Sequence, residues 1–339
     1  MLSKRIEENL EAFFLVMGII GIISLVSTGL LKWKGIRELA VRALLTPLTI
    51  HGLPIGITQV VLIAGYIFYK WHDTISARIL WLMRRLGLPR FVFAFVTLLG
   101  LTSSIISVIV AAVVFAEVMS ALPISRQKRI EITVISAFAL GLGAALTPVG
   151  EPLATIAISK LQEHPLYLLE LLGAYIIPGV IAVAAYAAYR LRDVNEDEGE
   201  TIEDVHEHGE TLRSVLMRGL RVYVFVAALE LLGTSFTPIA EWFFVKLMPE
   251  VLYWVNTISA IVDNATLTAA EVVPGLDSSH LKYMLMGLLV SGGMLIPGNI
   301  PNIVAAARLR ITSKEWARHG VPLGALMLAA YFIILKIIA

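Results

Sequence analysis

Gly292-Gly-Met-Leu-Ile-Pro-Gly-Asn-Ile-Pro-Asn302 interrupts an apolar tract that is otherwise suited to crossing a bilayer. Pro297 and Pro301 remove two backbone donors and crowd the preceding turn, so no regular helix runs through them. The flanking runs, 283–296 and 303–307, are each too short to cross alone and together fit one crossing. Lipid cannot satisfy a broken backbone, so such a break survives only against protein or a polar cavity. A second copy lies 149 positions earlier, Gly143-Ala-Ala-Leu-Thr-Pro-Val-Gly-Glu-Pro152. Aligned on their prolines, Gly143/Gly292, Leu146/Leu295, Pro148/Pro297, Pro152/Pro301 and Ala157/Ala306 coincide. One proline kink is commonplace, but two matched double-proline breaks in corresponding halves point to a transporter's binding site.

Composition agrees with a bilayer setting. The 339 residues are 58% hydrophobic and 16% charged, and the mean hydropathy is +0.81. Soluble domains run near 45–50% apolar and about 25% charged, so this reads as an integral membrane protein. A net charge of +1 speaks against a nucleic-acid partner. Zero cysteines exclude disulfides, thiolate catalysis and Cys-ligated metal. The first apolar run, 10–31, is too long for a signal h-region and shows no small-residue cleavage site, so it reads as a retained first span.

The expected fold is all-α: a polytopic membrane protein with two inverted-topology repeats, each holding a re-entrant hairpin and a Pro-broken transmembrane helix. Residues 1–46 supply the first span and an interfacial segment, and 47–192 form repeat 1. Residues 193–213 form an acidic cytoplasmic linker, with nine acids and no Lys or Arg between 193 and 210. Residues 214–339 form repeat 2. Within repeat 1, 50–69 reads as a span, and 71–85 as an interfacial helix lying on the membrane. The tract 91–122 is long for one crossing and carries a hydroxyl-rich middle, so it reads as a hairpin. In repeat 2, 238–247 reads as a short amphipathic piece and 251–273 as the second hairpin. With both tracts returning to the side they left, seven full spans remain. Lys and Arg then number 19 on one side and 8 on the other, of 27 in all. The positive-inside rule puts the N-terminus and linker in the cytoplasm and the C-terminus outside the cell membrane, so the halves enter from opposite faces.

Half-helix N-termini present free N–H groups and C-termini present carbonyls, and near midplane both can hold a dehydrated ion or small anion. Thr147, Gly150, Glu151 and Thr155 gather at the first break, and Gly298, Asn299 and Asn302 at the second. An ionisable group at membrane depth is costly and therefore a functional candidate. Glu151 sits inside the first break. Asp263, with Asn264 and Thr266, lies midway along the second apolar tract, where a helix cap is the competing role. Both acids offer hard oxygen ligands, so a Na+ site is expected at Glu151 and Asp263. Thr102, Ser103, Ser104 and Ser107 are candidate ligands at the first hairpin, against a plain role as hydroxyl glue between helices. Glu117 and Glu271 precede Val in matching positions and read as gates or proton relays, with structural glutamates as the alternative. Glu170 and Glu230 read as packing contacts.

The stretches 141–152, 263–266 and 291–302, with Ser313-Lys-Glu-Trp316 following, resemble an uncharacterised family of predicted archaeal and bacterial cation transporters. That family is similar to compact members of the ion transporter superfamily, which includes arsenite permeases, Na+/H+ antiporters and dicarboxylate/Na+ symporters. The resemblance covers nearly the whole chain. It implies inverted repeats, a homodimer built through a scaffold, and ion sites at the hairpin tips and breaks: 102–107 with 147–151, and 263–266 with 298–302. One departure is the first tip, Thr-Ser-Ser where dicarboxylate carriers carry Asn-Thr.

The expected function is a secondary transporter working by alternating access, most simply a Na+/H+ antiporter, with Na+ and/or H+ as coupling ions and no other cofactor. Glu151 and Asp263 have no Arg or Lys near them in sequence, which favours a cation. The alternative is Na+-coupled symport of a small anion. A remoter alternative is a membrane scaffold or intramembrane enzyme, and no catalytic residue is assigned. No Ser/His pair, H-E-x-x-H or Asp dyad stands at membrane depth, so an enzyme is not expected.

Overall fold

Glycine and proline punctuate an otherwise helix-forming chain, and the described residues fold into helices with no strand among them. A computed structural model describes residues 10–49, 57–106, 108–193, 212–243, 247–272 and 276–338. The first half comprises α1 (Leu10–Ser27), α2 (Trp33–Leu45), α3 (Ile57–Leu86), α4 (Leu88–Ile106), α5 (Val108–Ser120), α6 (Arg126–Ala144), α7 (Pro152–Leu161) and α8 (Tyr167–Arg190). The second comprises α9 (Leu212–Phe243), α10 (Pro249–Val255), α11 (Asn264–Glu271), α12 (Ser278–Gly292), α13 (Ile300–Leu309) and α14 (Ser313–Ile338). Short 3-10 turns cover Thr46–Leu48, Asn256–Ala260 and Ile296–Gly298. Most of the acidic linker, and Ser107 at the first tract's tip, lie outside the described residues.

Three described helices, α4, α8 and α14, are long and apolar enough to cross a bilayer. The first apolar run makes an 18-residue helix, because Gly29 takes φ +73° and ends it. A kink at Trp71 (φ −114°, ψ 24°) divides α3 into two helices, at the place where the expected second span gives way to the expected interfacial helix. The amphipathic piece expected to begin at Pro238 instead starts inside α9, which runs on to Phe243.

The core is centred on α6 and α12. Every residue from Ile130 to Ala144 is buried, as is every residue from Tyr283 to Gly292. A helix apolar on all sides belongs at the centre of a bundle. The two central helices touch one another, and their neighbours follow a reciprocal scheme. Helix α6 packs on α4, α8 and α14; α12 packs on α10, α14 and α8. Helix α5 lies on α13 and α3, while α11 lies on α7 and α9. The N-terminal α1 packs along α9, where Gly18 and Gly21 let the backbones approach.

Candidate functional site

Both proline motifs end one helix and start another. The first break separates α6 from α7, and Pro152 opens α7; the second separates α12 from α13, and Pro301 opens α13. Proline at a first turn loses no hydrogen bond and is preset for the helix, so these two residues start the helices that follow the breaks. Both following helices are ten residues long and both end on a left-handed non-glycine residue, Gln162 (φ 57°) and Arg310 (φ 51°). Behind these, Glu163 N–H donates to the Ile158 carbonyl and Ile311 N–H to the Ala306 carbonyl, the same C-terminal closure twice.

The breaks are closed by side chains. Asn302 Nδ2 donates to the Gly292 and Leu295 carbonyls (2.9 and 2.7 Å), satisfying the end of α12. Trp316, fully buried on α14, donates its indole N–H to the Gly293 carbonyl. At the first break Thr155 Oγ1 donates to the Pro148 carbonyl (2.7 Å), and Thr147 Oγ1 to the Ser104 carbonyl at the end of α4. Val108 N–H, at the start of α5, donates to the Gly150 carbonyl (2.7 Å). Gly150 and Gly298 are required by space: a Cβ on Gly150 would strike the Ala144 carbonyl, and one on Gly298 would sit 2.5 Å from the Gly292 carbonyl.

Glu151 and Asp263 lie in one cavity of about 460 Å³ between the halves. Glu151 is the N-cap of α7 and is buried; its Oε1 has no hydrogen-bond partner. Asp263 is the N-cap of α11, and its Oδ2 accepts from the N–H and hydroxyl of Thr266 (3.2 and 3.5 Å). Asp263 therefore does cap a helix, and it faces the cavity while doing so. Helices α7 and α11 pack together, and Lys160 of α7 donates to the Ala269 carbonyl of α11. Two short helices thus bring their positive dipole ends and one carboxylate each to the same space.

Of the residues singled out from sequence, Gly150, Glu151, Thr155, Asp263 and Thr266 line this cavity, with Pro152 at its edge. Thr102, Ser103 and Ser104 do not; each donates its hydroxyl to a carbonyl three or four residues back in α4. Asn264, Gly298, Asn299 and Asn302 are buried beside it, and Asn299 lies against Gly141 of α6, joining the second break to the first helix. Pro148 and Pro297 stand in the connecting turns. Glu117, itself buried, accepts from Nε of the half-buried Arg308 (2.8 Å) in a pair joining α5 to α13. Glu271 accepts from Asn256 Nδ2 (2.9 Å).

Five residues of this lining carry polarity outside the sites expected from sequence. Arg42 from α2, Thr46 and Thr49 from the 3-10 turn and its end, and Glu230 and Thr234 from α9 all line the cavity. Arg42 Nε stands 3.8 Å from Glu230 Oε1. Arg42 sits on the polar side of an amphipathic helix remote in sequence from both breaks, so spacing alone offered no link. Glu230 falls in a long apolar run, and its intramembrane charge was the one available signal. No three acidic or histidine side chains are grouped as metal ligands among the described residues. A cation held between Glu151 and Asp263 would therefore need backbone and hydroxyl oxygens as well, and the Gly150 turn and Thr155 offer both.

Across residues 1–338 the chain matches the family described as protein of unknown function (DUF1646). No curated protein matches it.

Proposed function

We propose, for a chain that belongs to the DUF1646 family and takes no activity from that membership, that it is a secondary ion transporter, exchanging a cation such as Na+ for H+. The observation that carries this reading is the shared cavity: Glu151 and Asp263, 112 residues apart in sequence, line one space at the N-termini of two packed half-helices. Two carboxylates in a confined site bind one cation well and repel each other when it leaves, so protons replace it. With Glu230 present and Arg42 opposing it, the lining is formally net negative, which favours a cation.

The reciprocal packing of α5 on α13 and of α11 on α7 supports reading the halves as inverted repeats. On that reading 91–122 and 251–273 are re-entrant hairpins, and alternating access moves these and the broken helices against the remaining spans. The N-terminus and acidic linker are assigned to the cytoplasm and the C-terminus to the outside, in a homodimer. The test is flux in proteoliposomes: Na+-dependent proton movement is expected in the native protein and loss of it in Asp263→Asn or Glu151→Gln. Native flux in both variants overturns the reading.

A second reading is Na+-coupled symport of a small anion. Arg42 favours it, since a guanidinium at the cavity supplies the anion partner that the neighbourhood of the two acids lacks in sequence. Anion-stimulated Na+ uptake that disappears in Arg42→Gln would select this reading over antiport.

A further inference from the structure

Glu117 and Glu271 share a local sequence, each preceded by Ala and followed by Val, yet they are neutralised differently. Glu117 has a guanidinium: Arg308 crosses from α13 to meet it. Glu271 is 1% exposed, and among the described residues its side-chain partner is an amide, Asn256 Nδ2, from the turn that follows α10. Asn256 is itself fully buried. After that hydrogen bond is made, Glu271 Oε1 and Asn256 Oδ1 are both left without a partner. Two side chains already joined by one hydrogen bond each carry a stranded acceptor.

One proton resolves both. Placed on Glu271 Oε1 it makes an O–H that donates to Asn256 Oδ1, while Asn256 Nδ2 continues to donate to Oε2. The result is a closed acid–amide ring in which every polar atom is satisfied. Turning the amide over does not help, because Nδ2 also donates to the Met284 carbonyl (3.3 Å), which Oδ1 could not do. A metal ion is a poor substitute, since the Asn256 N–H already points at the carboxyl and would oppose it.

Charged and titratable groups on the surrounding elements are largely engaged elsewhere; α9 also carries Arg213, Arg221 and Tyr223, the last donating to the Leu44 carbonyl. On α7, Lys160 donates to the Ala269 carbonyl. On α9, Glu230 faces Arg42, and Asp263 caps α11 from the cavity side. On α12, His280 pairs with Asp277, Lys282 lies over the Tyr175 ring, and Tyr283 stacks edge-on to Tyr253. On α10, Tyr253 donates to the Leu328 carbonyl, and Glu250 stands half-buried in the helix's first turn. Among the described residues no ion pair is made by Glu271.

We infer that Glu271 is a proton-binding site, holding one proton in a reciprocal pair with Asn256 that pins α11 to the turn after α10. This does not rest on the transport reading, which concerns the acids of the cavity. Loss of the proton would set a carboxylate against an amide oxygen, and the two arms would have to separate or admit water.

Infrared spectra of the full chain in lipid nanodiscs at neutral pH test it. The expected result is a carbonyl stretch of a protonated side-chain carboxyl that is lost in Glu271→Gln. That variant can donate its own amide N–H to Asn256 Oδ1 and so keep the ring. In Asn256→Ala, which retains the acid, the band is expected to move to higher frequency as its hydrogen bonds are lost. Identical native and Glu271→Gln spectra in this region overturn the inference, and so does an unmoved band in Asn256→Ala. Carboxylate bands that disappear with Glu271 and respond to Na+ also overturn it, in favour of a bound cation. Flux is read separately, so failure here and failure of the antiport reading are distinguishable.

Discussion

Asp263 does two jobs that substitution can separate. Its Oδ2 accepts from Thr266 N–H, and its charge faces the cavity. Asparagine is as good an N-cap as aspartate, so Asp263→Asn should leave thermal unfolding nearly unchanged while ion flux is lost. Asp263→Ala should lose flux and also about 1 kcal/mol of stability, read from chemical unfolding in detergent. Equal stability of the two variants would mean that the cap contributes nothing. The Glu117–Arg308 pair presents a harsher case. Glu117 is buried and Arg308 partly so, and removing one charge of such a pair is destabilising, by up to about 3–5 kcal/mol where both partners are fully buried. Arg308→Met should therefore be severely destabilised and Glu117→Gln/Arg308→Met less so, with the difference visible in melting temperature. Outside the core, hydrogen bonds from His280 hold the Asp277 carboxyl below the usual aspartate range. The depressed value means that its contribution is present above the unfolded aspartate range and fades as pH falls through the folded one. Asp277→Asn should flatten the acid limb of a stability–pH curve, by a small amount because the side chain is exposed.

At the level of helices, the two breaks make opposite demands on their glycines and prolines. Pro152 and Pro301 begin helices, where their missing N–H is no loss, so Pro301→Ala should cost less than about 1 kcal/mol and preserve the break. Gly298 has carbonyls on two sides, at 2.5 and 2.7 Å from a built Cβ, and Gly298→Ala should lower the melting temperature sharply. If Pro301→Ala proved the worse variant, the break would depend on ring sterics and not on close approach. The breaks were legible beforehand because proline and glycine leave the same trace in any sequence. The kink in α3 at Trp71 has no Gly or Pro beside it, and there the change from an apolar to a mixed apolar and charged pattern marked the boundary. For Thr102, Ser103 and Ser104 the sequence leaves two compatible roles: each hydroxyl donates to its own helix, and its oxygen lone pairs remain for another partner.

For the molecule as a whole, local patterns identified the two acids but not the company they keep. Glu151 and Asp263 stood out as charges in apolar surroundings, whereas Arg42 and Glu230 reach the cavity through the packing of α2 on α9. Contacts between elements this far apart have no signature in spacing. The absence of cysteine makes the topology directly testable. Single cysteines at Asp193 and Lys336 should be modified from opposite sides of intact cells, Lys336→Cys by an impermeant reagent and Asp193→Cys only after permeabilisation. Labelling of both from one side would sink the inverted arrangement.

The Glu117–Arg308 pair also bears on voltage. A unit charge moved across a membrane potential exchanges about 2.3 kcal/mol per 100 mV, but a carboxylate and guanidinium travelling together carry no net charge. Helices α5 and α13, bound by this pair, can shift through the field without electrical work on it. On the transport reading, current that accompanies turnover would then come from charges other than this pair, among them Glu151 and Asp263 with whatever they hold, and electrogenicity would report on that cavity.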